Sequence, residues 1–140
     1  MSNEMDVVRA ILRDCRTVAV VGLSPRPERD SHRVARYMQR QGWRIVPVNP
    51  VAAGQTILGE PVYGSLAEAA KHERIDLVDC FRNSADIPPI VDEAIAIGAP
   101  ALWLQLGVQH AGAAAKARAA GLRVVENRCL MVDHANHSQP

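Results

Sequence analysis

The feature that most constrains this chain is the alternation of short, nearly unbroken apolar runs with longer segments of helical pattern. Five runs read as strands: Thr17–Val21, Arg44–Val48, 75–81, Ala101–Leu104 and 122–126. Each stays apolar at successive positions, as a strand covered on both faces must. Strands of this kind separated by helical segments predict an α/β chain, with a five-stranded parallel sheet carrying helices on both faces. The 140 residues suffice for one core without a disulfide or metal staple. A single domain over 1–134 and a flexible tail at 135–140 are expected, with disorder setting in near His134.

Punctuation residues delimit the helices. Val7, Val8, Ile11 and Leu12 give Glu4–Asp14 an amphipathic pattern. Asp30 or Ser31 can cap a second helix that buries Val34, Ala35 and Met38 and stops at Gly42. A third follows Asp86, with Pro88 and Pro89 in its first turn, and runs to Gly98, while an alanine-rich fourth over 111–120 ends at Gly121. Pro47 removes a ladder donor from the second strand, which points to an edge or a bulge. Between Pro50 and Ile75 a loop or small hairpin is expected, and the Ser65/Glu68 capping-box pattern predicts a short helix at its end.

Charge narrows the partners. Sixteen basic against fifteen acidic residues give a formal net charge of +1, so nothing drives the whole molecule toward nucleic acid or an anionic membrane. The apolar runs fall far short of the ~20 residues of a membrane span, and MSNEMDVVRA lacks the apolar stretch of a secretory signal. Cys15, Cys80 and Cys129, odd in number and widely spaced, read as reduced thiols. A cytoplasmic protein with a small-molecule ligand is expected, and a homodimer is compatible with it.

Any anion site must therefore be local, and the first loop offers one. VAVVGLS ends a strand on Gly22, and PRPERDSHRVARYM opens a helix behind it. In this arrangement glycine permits the sharp turn, and free amides at the helix start receive phosphate oxygens. A dinucleotide fingerprint would place further glycines where Ser24 and Pro27 stand, so the motif is a weak sign of NAD. The loop carries Arg26 and Arg29, with Ser31, Arg33 and Arg36 along the helix, a set able to offset more charge than one pyrophosphate brings. The second strand ends in Asn49-Pro50, where an NAD site wants an acid for the ribose hydroxyls. Asparagine would tolerate the added ribose phosphate of coenzyme A; an ordinary turn explains the pair equally well.

With these segments in place, the chain resembles the coenzyme-A-binding protein family, free-standing relatives of the N-terminal domain of the succinyl-CoA synthetase alpha subunit. The likeness covers about residues 5–133 and is carried by VAVVGLSPRPERDSHRVARYM, RIVPVNP with ILGEPVYGSL, IDLVDCFR, ALWLQLGV and GLRVVENRC. It implies a Rossmann-like, doubly wound sheet of strand order 3-2-1-4-5, with ligand crossing the carboxyl ends at the switch point between the first and fourth strands. By this resemblance Gly22, Leu23, Ser24 and Pro25 touch coenzyme A through backbone and hydroxyl, and Asn49 and Pro50 border the adenosine. Phe81 and Arg82 form a wall and a cationic contact, with Gln105 and Gly107 on the opposite side. The synthetase's phosphohistidine chemistry does not carry over, since none of His32, His72, His110, His134 and His137 lies in a matching context.

Little points to chemistry beyond binding. Arg128 could stabilise a Cys129 thiolate, but a structural thiol is the preferred reading. His134 and His137 have no acidic or cysteine partner completing a metal site and read as tail residues. Asp76 and Asp79, three apart in a strand, point to opposite faces. The expectation is a binder of coenzyme A or an acyl-CoA without catalysis of its own; the alternative is an NAD(P)-binding redox enzyme or sensor on the same fold.

Overall fold

The computed structural model describes residues 3–137. The principal sheet is formed by β1 (Thr17–Val21), β2 (Arg44–Val48), β5 (Leu77–Cys80), β6 (Ala101–Leu104) and β7 (Arg123–Val125), all parallel. Two-residue strands β3 (Thr56–Ile57) and β4 (Glu60–Pro61) make an antiparallel hairpin. The helices are α1 (Glu4–Asp14), α2 (Asp30–Arg40), α3 (Leu66–Ala70), α4 (Ile87–Ala96), α5 (Ala111–Ala119) and α6 (Leu130–His137).

Alternation sorts the strand side chains into two cores. Ala19, Val46, Val78, Leu102 and Val124 pack with α3, α4 and α5, whereas Val18, Ile45, Leu77, Trp103 and Val125 pack with α1, α2 and α6. Asp79 and Phe81 follow Leu77 at two-residue steps and so belong to the second face, where Asp79 is fully buried.

The Rossmann-like expectation holds, but the strand order is corrected. It is β2-β1-β5-β6-β7, so the third long strand lies beside the first rather than outside the second, and the switch point falls between β1 and β5. The reason lies in the long connection after β2. Tyr63 donates its amide to the Pro47 carbonyl (3.0 Å), and Asn49 donates to the Tyr63 carbonyl (2.9 Å). That rudimentary pairing occupies β2's outer edge, where Pro47 lacks a donor, and sends the next full strand across to β1.

Local differences have similar physical causes. α2 begins after Arg29 with no side-chain cap: Asp30 pairs with Arg33, and the Ser31 hydroxyl accepts the Ser24 amide instead. Ser65 caps α3 through the Glu68 amide (3.1 Å), while the Glu68 carboxylate turns to Lys71. The tail expected from His134 begins inside α6, which runs to His137; residues 138–140 lie outside the described part. α6 is held down by Asp133, which is buried and accepts two bonds from Arg128 at 2.7 and 2.8 Å. His134 Nδ1 meets the Tyr37 hydroxyl at 2.9 Å, so this histidine is packed rather than trailing. Among the described residues no helix is long and apolar enough to cross a membrane.

Candidate functional site

The carboxyl ends of β1, β2 and β5 converge on Gly22. Its amide donates to the Val48 carbonyl (2.8 Å), and the Phe81 amide donates to the Val21 carbonyl (2.9 Å). Gly22 has φ +88°, and a β-carbon there would lie 3.0 Å from both the Phe81 carbonyl oxygen and Arg82 Cδ. The glycine is thus required twice, by its left-handed turn and by the close crossing of chain.

The loop beyond it is tied to the start of α2. The Ser24 amide donates to Ser31 Oγ (3.0 Å), the Arg26 amide donates to Ser24 Oγ (3.1 Å), and His32 Nδ1 contacts the Ser24 carbonyl (3.0 Å). Asn49 clamps the loop to β2, accepting the Val51 amide and donating Nδ2 to the Leu23 carbonyl, each at 3.0 Å. Its hydrogen-bonding groups, expected beside an adenosine, are therefore committed within the chain. Leu23, expected to touch the coenzyme, is fully buried, and its carbonyl is taken by Asn49.

Three neighbouring depressions follow the strand ends. One, of about 420 Å³, is bordered by Gly22, Ser24, Arg26, Arg29, Ser31 and Phe81, with the acids Glu28 and Asp30 also on its rim. Arg33 is paired with Asp30, but neither Arg26 nor Arg29 has a carboxylate partner among the described residues. A second, of about 310 Å³, lies on the α4 side between Val48, Pro50, Gly64 and Arg82, whose guanidinium is 3.6 Å from Asp86. A third, of about 400 Å³, lies between α2 and α6 and shares Phe81 with the first and Arg82 with the second. Gln105 borders this third cavity together with Phe81 and Arg82. Pro25 and Gly107 border none of the three; Gly107 is held by its amide bond to Asn127 Oδ1 (2.7 Å).

Asp79 is the residue that sequence reasoning missed. Its Oδ1 accepts Gln105 Nε2 at 2.8 Å, and its Oδ2 has no partner. Burial pushes its carboxyl up to about 8, against the smaller opposing pull of the Gln105 hydrogen bond. The available signal was an acid inside the otherwise apolar run LVDCF.

Cys129 differs from the buried thiol expected of it. It is half-buried on the wall of the third cavity, whereas Cys15 and Cys80 are buried and burial raises both thiols, Cys15 to about 11. Arg128 is engaged by Asp133 and Glu4, and its carbonyl accepts Trp103 Nε1 (2.8 Å). The guanidinium read as a thiolate partner is therefore a structural clasp. Among the described residues no group of three or more histidines, cysteines or acids could hold a metal ion.

The family described as the CoA binding domain matches residues 16–135, nearly the whole sheet and every depression above. The chain belongs to this family. The uncharacterized protein YneT of Bacillus subtilis (strain 168) is 37% identical over 128 residues, covering 91% of this chain and 92% of its own. Among solved structures, cell-free ID.343 from Thermus thermophilus superposes with a TM-score of 0.87 at 37% identity, covering 96% of this chain and 98% of that one. A hypothetical protein from Pyrococcus horikoshii OT3 gives a TM-score of 0.88 at 34% identity, covering 99% and 94%. Family membership supports coenzyme A binding at a general level and leaves the ligand's placement to the geometry.

Proposed function

We propose that the chain binds coenzyme A or an acyl-CoA across the carboxyl ends of β1 and β5, with the phosphates over the Gly22 loop, and that it acts as a binding protein without catalysis of its own. The observation that carries this reading is the pair of guanidiniums, Arg26 and Arg29, that have no carboxylate partner among the described residues, beside a glycine turn whose shape is held by Ser31, His32 and Asn49. A preformed loop loses little entropy on receiving a ligand, and charge-assisted bonds from arginine to phosphate are the strong kind. Pro50 and Arg82 border the adjoining depression, which suits the adenosine end.

Isothermal titration tests the reading against nicotinamide cofactors. CoA is expected to bind at least tenfold more tightly than NADH, since the end of β2 carries Asn49 where a ribose-binding acid would stand, and more tightly than NADPH, since Ser24 and Pro27 stand where a dinucleotide loop has glycines. Its affinity should fall as salt rises, because exposed phosphate contacts are screened over about 8 Å at physiological ionic strength. Preference for NADH, or no heat with CoA, would contradict the assignment.

A further inference from the structure

The cavity between α2 and α6 has a composition unlike that of the loop beside it. Val34, Phe81, Leu106, Val108, Met131 and Val132 supply its apolar lining. Leu106 is 71% exposed and Val132 49% exposed, two of the three exposed large hydrophobic residues among those described. A single exposed aliphatic is ordinary, but two on the rim of one cavity make a surface that gains from being covered. Its main buried polar feature is Gln105, whose Nε2 is drawn inward by Asp79. The side-chain carbonyl remains as the end of the amide that a ligand N–H can use.

What covers this cavity follows from its continuity with the cationic loop. Asp30 and Phe81 border both depressions, so one ligand can place negative charge beside Arg26 and Arg29 and pass an apolar portion over Phe81 into the cavity. Asp30, Arg33, Arg82 and Asn83 form its polar border, and apart from Phe81 its apolar side chains are aliphatic, which suits a flexible chain better than a base. At about 400 Å³ the space lies toward the small end of ligand pockets, roughly 300–1,000 Å³.

We propose that this cavity receives the acyl group of an acyl-CoA of short to medium chain, so that the acylated thioester is held in preference to the free thiol. The inference rests on the CoA-binding reading above and adds to it the class of the bound group. Cys129, the one cysteine of the three that is not buried, lies on the cavity wall and serves as a built-in reporter of occupancy.

The test compares two thioethers of coenzyme A, S-methyl and S-octyl, neither of which has a thiol to consume reagent. Titration should show S-octyl-CoA binding at least tenfold more tightly, the change expected from burying about two methylene groups. S-octyl-CoA should also slow maleimide labelling of Cys129 several-fold more than S-methyl-CoA does at matched saturation. Val132→Glu, at an exposed rim position, should erase most of the difference while leaving S-methyl-CoA affinity within about twofold. Equal affinity and equal protection would overturn the acyl site and leave CoA binding standing. Labelling that slows with protein concentration alone would also overturn it, since a second copy would then be the occupant. Failure of both thioethers and of CoA to bind would remove the underlying reading as well.

Discussion

Gly22 and Asp79 show how single residues carry this site, and how unequally they are announced. VVGLS at the end of an apolar run marks Gly22 directly, because a strand that ends in glycine before a polar helix start admits few geometries. Gly22→Ala should lower stability by about 1–3 kcal/mol, since a β-carbon would be forced into a left-handed turn 3.0 Å from the Phe81 carbonyl oxygen. It should also weaken CoA binding at least tenfold. Urea unfolding and titration read the two effects, and a stable variant with unchanged affinity would contradict both. Asp79 is announced only as an acid inside an apolar run, which gives no sign of whether its partner is water or Gln105. With its folded value raised to about 8, the native state holds a proton that the unfolded chain releases near pH 4. Its contribution to stability is therefore full below about pH 4 and is lost as pH rises through 8. The opposite sign applies to Glu73, lowered by the Arg44 guanidinium bound to it at 2.6–2.7 Å, whose contribution is lost on acidification. Asp79→Asn should cancel only the alkaline loss, making the variant more stable than the parent at pH 8–9 by about 1 kcal/mol or more. Parallel denaturation curves at pH 5 and pH 9 decide this, and an unchanged difference between the two proteins would contradict it.

At the scale of elements, the strands were legible wherever apolar pattern and burial coincide. Thr17–Val21, Arg44–Val48 and Ala101–Leu104 have the bounds that the sequence suggests, as does helix Glu4–Asp14. What was hidden depends on partners distant in sequence. The strand order turns on Tyr63 pairing with the edge of β2, a contact that no local pattern encodes. The part of α6 from His134 reads as tail because HANH carries no apolar periodicity; the helix's anchors are Arg128 on Asp133 and Tyr37 on His134. Asp133→Ala should cost about 1–3 kcal/mol by removing a buried, doubly bonded carboxylate, less whatever water recovers for the partly exposed Arg128. Because α6 supplies Met131 and Val132 to the apolar cavity, the same change should loosen that wall before the sheet unfolds, which hydrogen exchange of the α6 amides would detect. A loss under about 0.5 kcal/mol, with α6 protection intact, would show that the clasp is ornamental.

Across the whole molecule the charges nearly cancel, yet cations gather at both ends of the sheet. Arg26 and Arg29 stand at the carboxyl ends of the strands; Arg9, Arg13 and Arg16 line a cleft of about 530 Å³ near Trp43, at the amino ends. That cleft is the larger of the two, but its arginines are accounted for. Arg13 binds Asp14, Arg9 is 3.9 Å from Asp6, and Arg16 donates to the carbonyls of Leu12 and Cys15 at the end of α1 while lying over the Trp43 ring. Cations at a helix C-terminus are expected there on dipole grounds alone. The central claim, that coenzyme A lies across the carboxyl ends of β1 and β5, therefore reduces to which end of the sheet responds to ligand. Amide chemical-shift mapping during a CoA titration measures this most directly: the account predicts the largest changes at Gly22, Ser24, Ser31, Phe81 and Arg82, and largest changes instead at Arg16, Trp43 and His134 would contradict it.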